Sequence, residues 1–222
     1  MIRCVLFDLD GTLVDTWDLY VEAYIRTLEP YLGRRLSLEE LIKLGPTSEL
    51  RLLRRALTGR DAGAAHREFL RHYRLLHPTH FAGVYPGACE MLQTLRDMGL
   101  RLGIVTGKSR GAWEITARST DLGEFDTTVT DEDVVEAKPH PEGLVLALDR
   151  LGISAAEAIY VGDSVGDAKA ARAAAVRFAA ALWPKAAREL ETFLTQVREA
   201  GVWRELPNPQ SLVVALKEEN TH

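Results

Sequence analysis

Two aspartates, Asp8 and Asp10, stand one residue apart at the exit of an apolar run, followed at once by Gly11 and Thr12 in "VLFDLDGTLVDT" (5–16). Both are negative at neutral pH and repel each other, so a positive partner is expected between them. Three more polar clusters occur: Thr106-Gly107-Lys108, Lys138 in "AKPHP", and Asp163 with Asp167 in "GDSVGD" (162–167). Carboxylate oxygens gathered at one point suit a hard divalent cation such as Mg2+, which keeps waters and substrate oxygens among its ligands. A hydroxyl, an ammonium group and helix N-termini following Thr106 and Asp167 suit a dianionic phosphoryl group. Together these are the parts needed for phosphoryl transfer. An EF-hand also begins with alternating aspartates, but its glycine belongs at loop position six and a glutamate at twelve. Here Gly11 is fourth and Leu19 twelfth, so that reading fails.

Such clusters must be carried by elements that converge. The Val- and Ile-bearing runs at 3–7, 100–106 and 158–164 read as buried parallel strands. Between them, "ACEMLQTLRDMG" (88–99) sets Met91, Leu92, Leu95 and Met98 on one helical face and ends at Gly99. "HPEGLVLALDRLG" (140–152) repeats the device with Leu144, Leu148 and Leu151 before Gly152. This βαβα alternation predicts an α/β fold, a doubly wound parallel sheet of Rossmann-like type, with chemistry beyond the carboxyl ends of its strands. From 16 to 82 the pattern is helical with no convincing strand, so this stretch is expected to be an inserted α-helical cap, leaving 1–15 and 83–222 as the core. Beyond Trp183, helical stretches and a Pro-Asn-Pro turn (207–209) offer little readable chemistry.

The 222 residues, 46% hydrophobic and 27% charged, are enough to bury a sizeable core. The net charge of −5 argues against nucleic acid as the partner; residues 16–82 carry +3 and the remainder −8. Two cysteines, Cys4 and Cys89, give no basis for a disulfide framework. No apolar run approaches the roughly 18 residues of a membrane span, and no basic segment followed by a long apolar stretch opens the chain. The protein therefore reads as cytoplasmic, with a small-molecule partner and an oligomeric state that the sequence does not specify.

The motifs "FDLDGTLVDT", "GIVTGK", "AKPHP" and "YVGDSVGDAKAA", in this order and spacing, resemble those of the haloacid-dehalogenase-like hydrolases, specifically the phosphoglycolate-phosphatase-like branch with a helical cap. The resemblance covers nearly the whole chain. It implies a Mg2+-dependent phosphatase acting on a small phosphate ester, with Asp8 attacking phosphorus to form an aspartyl-phosphate. As a carboxylate of ordinary pKa near 3.9, Asp8 would need no base to do so. Asp10 would protonate the leaving alcohol and then take a proton from the hydrolytic water. The metal would be held by Asp8, the Asp10 backbone carbonyl and Asp163, with Asp167 as ligand or orienter. Thr106 and the Gly107 N–H would bind the phosphoryl group, Lys138 would bridge it to Asp8, and Gly11 and Thr12 would shape the adjoining turn. Two departures concern geometry: Ala175 and Pro184 stand where the family often has glycine. A phosphosugar mutase uses the same aspartyl-phosphate and is the nearest alternative. A receiver-type signalling module and an inactive phosphate-binding protein are the alternatives of a different class.

Several residues carry a plainer expectation beside a functional one. Lys108 divides between surface and substrate, and Asp15 reads as a helix cap. Asp131, Glu132 and Asp133 read as a solvated turn, and His140 as loop-shaping. His72, His77 and His80 do not have the spacing of a metal site. Arg51, Arg54, Arg55 and Arg60 read as a solvated helix face, with an arginine at the cap's lip as the alternative. "LGPTSE" (44–49), with Thr47, resembles the cap segment that approaches the active site in related enzymes.

Overall fold

The structure, a computed structural model, describes residues 1–45 and 48–219. Thr47 lies outside the described residues. The chain opens with β1 (Cys4–Phe7) and a short β2 (Val14–Asp15), then runs through four helices, α1 (Trp17–Leu32), α2 (Leu38–Lys43), α3 (Glu49–Ala56) and α4 (Ala62–His80). A two-residue β3 (Gly83–Val84) returns it to α5 (Ala88–Asp97), β4 (Arg101–Val105), α6 (Arg110–Ala117) and β5 (Thr127–Val129). After α7 (Glu142–Leu151) come β6 (Ala158–Gly162), α8 (Val165–Ala173), β7 (Arg177–Ala181), α9 (Ala187–Ala200), β8 (Val202–Leu206) and α10 (Gln210–Glu219).

Six strands form one parallel sheet in the order β5-β4-β1-β6-β7-β8. Side chains alternate across a strand, so Val5 and Phe7 of β1 join one apolar cluster while Cys4 and Leu6 join the other. The first cluster takes Met91, Leu92 and Leu95 of α5 with Leu212 and Leu216 of α10; the second takes α7, α8 and α9 through Leu144, Ala171 and Val197. Both faces are thus covered, which is what an all-parallel sheet requires. The helices expected at 88–99 and 140–152 form over Ala88–Asp97 and Glu142–Leu151, and Gly99 and Gly152 take the left-handed conformation that ends them.

Helices α1 to α4 bury a separate apolar cluster in which Leu19, Ala23 and Leu28 meet Ala65, Phe69 and Tyr73. The antiparallel β2–β3 pair, Val14 opposite Val84, joins the outgoing and returning chain at their base. Contrary to expectation, the region beyond Trp183 adds the edge strand β8 and reaches the candidate site. Ala175, where the family often has glycine, takes a left-handed φ of 56°. No helix of the described residues is long and apolar enough to cross a membrane.

Candidate active site

Sheet register brings the motifs together. Phe7 pairs with Ile104 of β4 on one side and Val161 of β6 on the other, so Asp8, Thr106 and Asp163 emerge just past the carboxyl ends of three adjacent strands. Asp8 is buried; its Oδ1 accepts from the Leu9 N–H at 2.7 Å and its Oδ2 lies 2.9 Å from Lys138 Nζ. The same ammonium donates to Asp167 Oδ1 at 2.6 Å and to the Tyr160 hydroxyl at 3.0 Å. Asp167 occupies the third position of α8 and closes a capping box with Ser164, so it is a helix-capping residue and a member of the site at once.

Asp163 accepts from Lys185 Nζ at 2.7 Å and from Thr12 Oγ1 at 3.3 Å. Gly11 turns the chain beneath it with φ 78°, and a Cβ there would stand 2.6 Å from an Asp163 carboxylate oxygen. Trp183 donates from Nε1 to the Thr12 carbonyl at 3.0 Å, fixing the same turn from the other side. Thr106, Gly107, Asp131 and Lys138 are among the residues lining one cavity of about 20 Å³. Thr106 Oγ1 accepts from the Lys108 N–H at 3.2 Å.

Oxygens of Asp8, Asp163 and Asp167 all lie within 4.8 Å of one another. With all three carboxylates ionised, the ammonium groups of Lys138 and Lys185 leave one net negative charge. An all-oxygen, anionic donor set of this kind fits a hard divalent cation. Burial pushes Asp8 up to about 7 despite the opposing charge of Lys138, with Asp167 and Asp163 adding to the rise. The ordinary carboxylate value expected from sequence therefore does not hold here for the protein's charges alone. Burial also raises Asp163, against the pull of Lys185. For Asp167 burial is outweighed by Lys138 and by hydrogen bonds from Ser164 and Tyr160, and its pKa falls below the ordinary value.

Asp10 faces a second cluster. Its Oδ1 accepts from Thr16 Oγ1 at 2.6 Å and from Lys108 Nζ at 2.8 Å. The Lys108 side chain is fully buried, which removes the surface half of its reading. Burial opposes its charge, but Asp10, Tyr73 and Glu49 hold its pKa above the ordinary value. Glu49 is itself buried and pushed up to about 6 by desolvation, against the pull of Lys108 and the Tyr20 hydrogen bond.

The haloacid dehalogenase-like hydrolase model matches residues 5–181, which include every group just described except Trp183 and Lys185. The chain belongs to that family. It is 36% identical over 198 residues to the pyrophosphatase PpaX of Bacillus velezensis, covering 86% of this chain and 89% of that one. Its fold is similar to CbbY from Rhodobacter sphaeroides in complex with phosphate, with a TM-score of 0.80 at 25% identity over 94% of this chain and 95% of that one. A CbbY variant in complex with xylulose 1,5-bisphosphate gives a TM-score of 0.78 at 25% identity, again over 94% and 95%.

In this haloacid dehalogenase-like hydrolase several plainer expectations change. Asp133 is no solvated side chain: it accepts from Arg110, Arg150 and Thr130. Asp131 accepts from Arg51 at 2.9 Å, and Arg51 also donates to the Val135 carbonyl, so this arginine spans from α3 to the loop after β5 rather than facing solvent alone. Arg55 and Arg60 donate to the Leu44 and Tyr31 carbonyls. Asp15 accepts from the Trp17 N–H but stands one residue ahead of Thr16, the N-cap of α1, so it is not the cap residue expected. His72, His77 and His80 take separate partners in Thr27, Ser119 and Thr79. Lys185, Tyr160 and Trp183 were not singled out as site residues from sequence; Glu49 was not named by itself, but it ends the "LGPTSE" segment (44–49) and accepts from the Ser109 N–H. Tyr160 lies inside the "YVGDS" motif and was the most discoverable, since a buried phenol needs a partner near its hydroxyl.

Proposed function

We infer that the protein is a Mg2+-dependent phosphatase that hydrolyses a small phosphomonoester through an aspartyl-phosphate on Asp8. The observation carrying this reading is the meeting of three carboxylates with the Lys138 ammonium beyond adjacent strand ends. In it, residues 16–82 form a cap over a core of 1–15 and 83–222. Asp8 attacks phosphorus, the bond from phosphorus to the ester oxygen breaks, and Asp10 gives that oxygen its proton. Asp10 then takes a proton from the water that attacks the aspartyl-phosphate, which frees inorganic phosphate and restores Asp8. Lys138 offsets the repulsion between Asp8 and the phosphoryl oxygens. Thr106, the Gly107 N–H and the turn at Gly11 and Thr12 bind and orient those oxygens. Mg2+, held by Asp8, Asp163, Asp167 and the Asp10 carbonyl, supplies positive charge at the phosphoryl group when bound.

A second substrate reading is pyrophosphate, favoured by the name of the 36% identical Bacillus velezensis relative. The leaving group is then phosphate, and the roles of Asp8 and Lys138 are unchanged. Phosphate release from a panel of phosphomonoesters and pyrophosphate, with and without Mg2+, tests both readings. Turnover of one or a few members, lost on chelation, restored by Mg2+ and absent in Asp8→Asn, is the expected result. Metal-independent turnover, or turnover by Asp8→Asn at the wild-type rate, contradicts the assignment.

A further inference from the structure

The proton-shuttling role proposed for Asp10 raises the question of what orients its carboxylate, and the groups that do so come from two parts of the chain. Lys108 Nζ, 2.8 Å from Asp10 Oδ1, also donates to the Tyr20 hydroxyl at 2.9 Å. The rings of Tyr20 and Tyr73 lie 4.3 and 4.8 Å from the same ammonium. The Tyr20 oxygen is 2.6 Å from Glu49 Oε1. A phenol has one O–H and an ionised carboxylate none, so Tyr20 donates its hydrogen bond to Glu49 and turns a lone pair toward Lys108. Glu49 Oε2 accepts from the Ser109 N–H at 2.7 Å, the residue next to Lys108. The hydrogen bonds therefore converge on Glu49: Lys108 donates to Tyr20, Tyr20 to Glu49, and the Ser109 N–H to Glu49, the ring closing through the backbone that joins Lys108 to Ser109. Tyr20 and Glu49 belong to α1 and α3; Lys108 and Ser109 belong to the loop after β4.

Burying a carboxylate, an ammonium and a phenol in one seam is expensive, and an apolar seam of the same volume would pack these helices on the core as well or better. Packing therefore does not account for the cluster. We propose that Glu49 is a positioning residue: through Tyr20 it holds Lys108 against Asp10, so the docking of α1 and α3 on the loop after β4 orients the carboxylate that moves the proton. Glu49 acts at two removes from Asp10 and touches no reacting atom.

The proposal rests on the reading of Asp10 given above. Tyr20→Phe retains the ring beside the ammonium and removes only the hydroxyl, and Glu49→Gln retains volume. Single-turnover release of the alcohol is to be compared for an alkyl phosphate that the wild type cleaves and for p-nitrophenyl phosphate, whose leaving group departs without a proton. Steady-state KM and thermal midpoints are measured alongside. Each variant is expected to slow release from the alkyl phosphate about tenfold, to leave KM within about twofold, and to leave p-nitrophenol release nearly unchanged. The double variant is expected to be no slower than the slower single one, because both break the same chain. Equal slowing with both esters, a change in KM alone, or losses that multiply in the double variant would assign the cluster to packing and overturn the proposal. If Glu49→Gln fails to fold, Tyr20→Phe decides by the same comparison of esters. Wild-type protein that releases no phosphate from any substrate contradicts the phosphatase reading itself; wild-type turnover with unaffected variants contradicts this proposal alone.

Discussion

At Gly11 two constraints meet: a left-handed φ of 78° and a Cβ position 2.6 Å from the Asp163 carboxylate. An alanine would bear about 1–2 kcal/mol of backbone strain. It would also push Asp163 from the oxygen cluster, because Lys185 and Thr12 already hold that carboxylate from other directions. Gly11→Ala is therefore expected to weaken Mg2+ binding by about tenfold or more while the protein remains folded; calorimetric titration with Mg2+ against wild type measures it. Unchanged affinity would mean that Asp163 is not among the ligands. The residues proposed to carry chemistry were legible because they sit in short polar motifs, and the structure gathers Asp8, Lys138, Asp163 and Asp167 into one cluster while Asp10 faces Lys108 in a second. Lys185 was not legible, since an isolated lysine in a loop context is usually solvated, and Glu49 was marked only as the end of the "LGPTSE" segment, with no role of its own. What gives each its role is a contact across the fold, as between Lys108 and Asp10, 98 residues apart.

Among the elements, those with a strong apolar period were readable: α5 and α7 form where Leu and Met recur at helical spacing, and β1, β4 and β6 where short apolar runs end in polar residues. The outer strands were not. β7 reads "RFAAA", whose alanines favour no strand, and β8 reads "VWREL" at the sheet edge, where charged residues are tolerated. Nor did sequence show that Asp133 ties three elements, linking the end of β5 to Arg110 of α6 and Arg150 of α7. Burial works to raise the Asp133 pKa, but hydrogen bonds from Thr130 and Arg150 and the charge of Arg110 outweigh it and bring it down to about 2. A carboxyl lowered by folding stabilises the fold above its unfolded pKa, and that stabilisation is lost as pH falls through the folded value. Wild type is accordingly expected to lose about 1–2 kcal/mol from this group between about pH 4 and pH 2. Chemical denaturation across that window should show a shallower slope in Asp133→Asn; superimposable slopes would remove Asp133 from the account.

For the whole molecule, the sequence places a net +3 in residues 16–82 against −8 elsewhere, and two contacts show where the helices of that stretch meet the core: Arg51 with Asp131 and Glu49 with the Ser109 N–H. Both flank the crevice past the strand ends, so the helices that would read the leaving group and the loops that would hold the phosphoryl group share one seam. The overall α/β plan was legible because βαβ alternation admits few topologies; the seam was not, because it depends on how α1 and α3 pack against a loop distant in sequence. The central claim is that Asp8 is the nucleophile. Its most direct test is acid quenching of the Mg2+-loaded protein during turnover of a substrate, followed by mass spectrometry of its peptides. Phosphate carried covalently on Asp8 in wild type and absent in Asp8→Asn is the result predicted; phosphate on another residue, or undiminished turnover without Asp8, would contradict it.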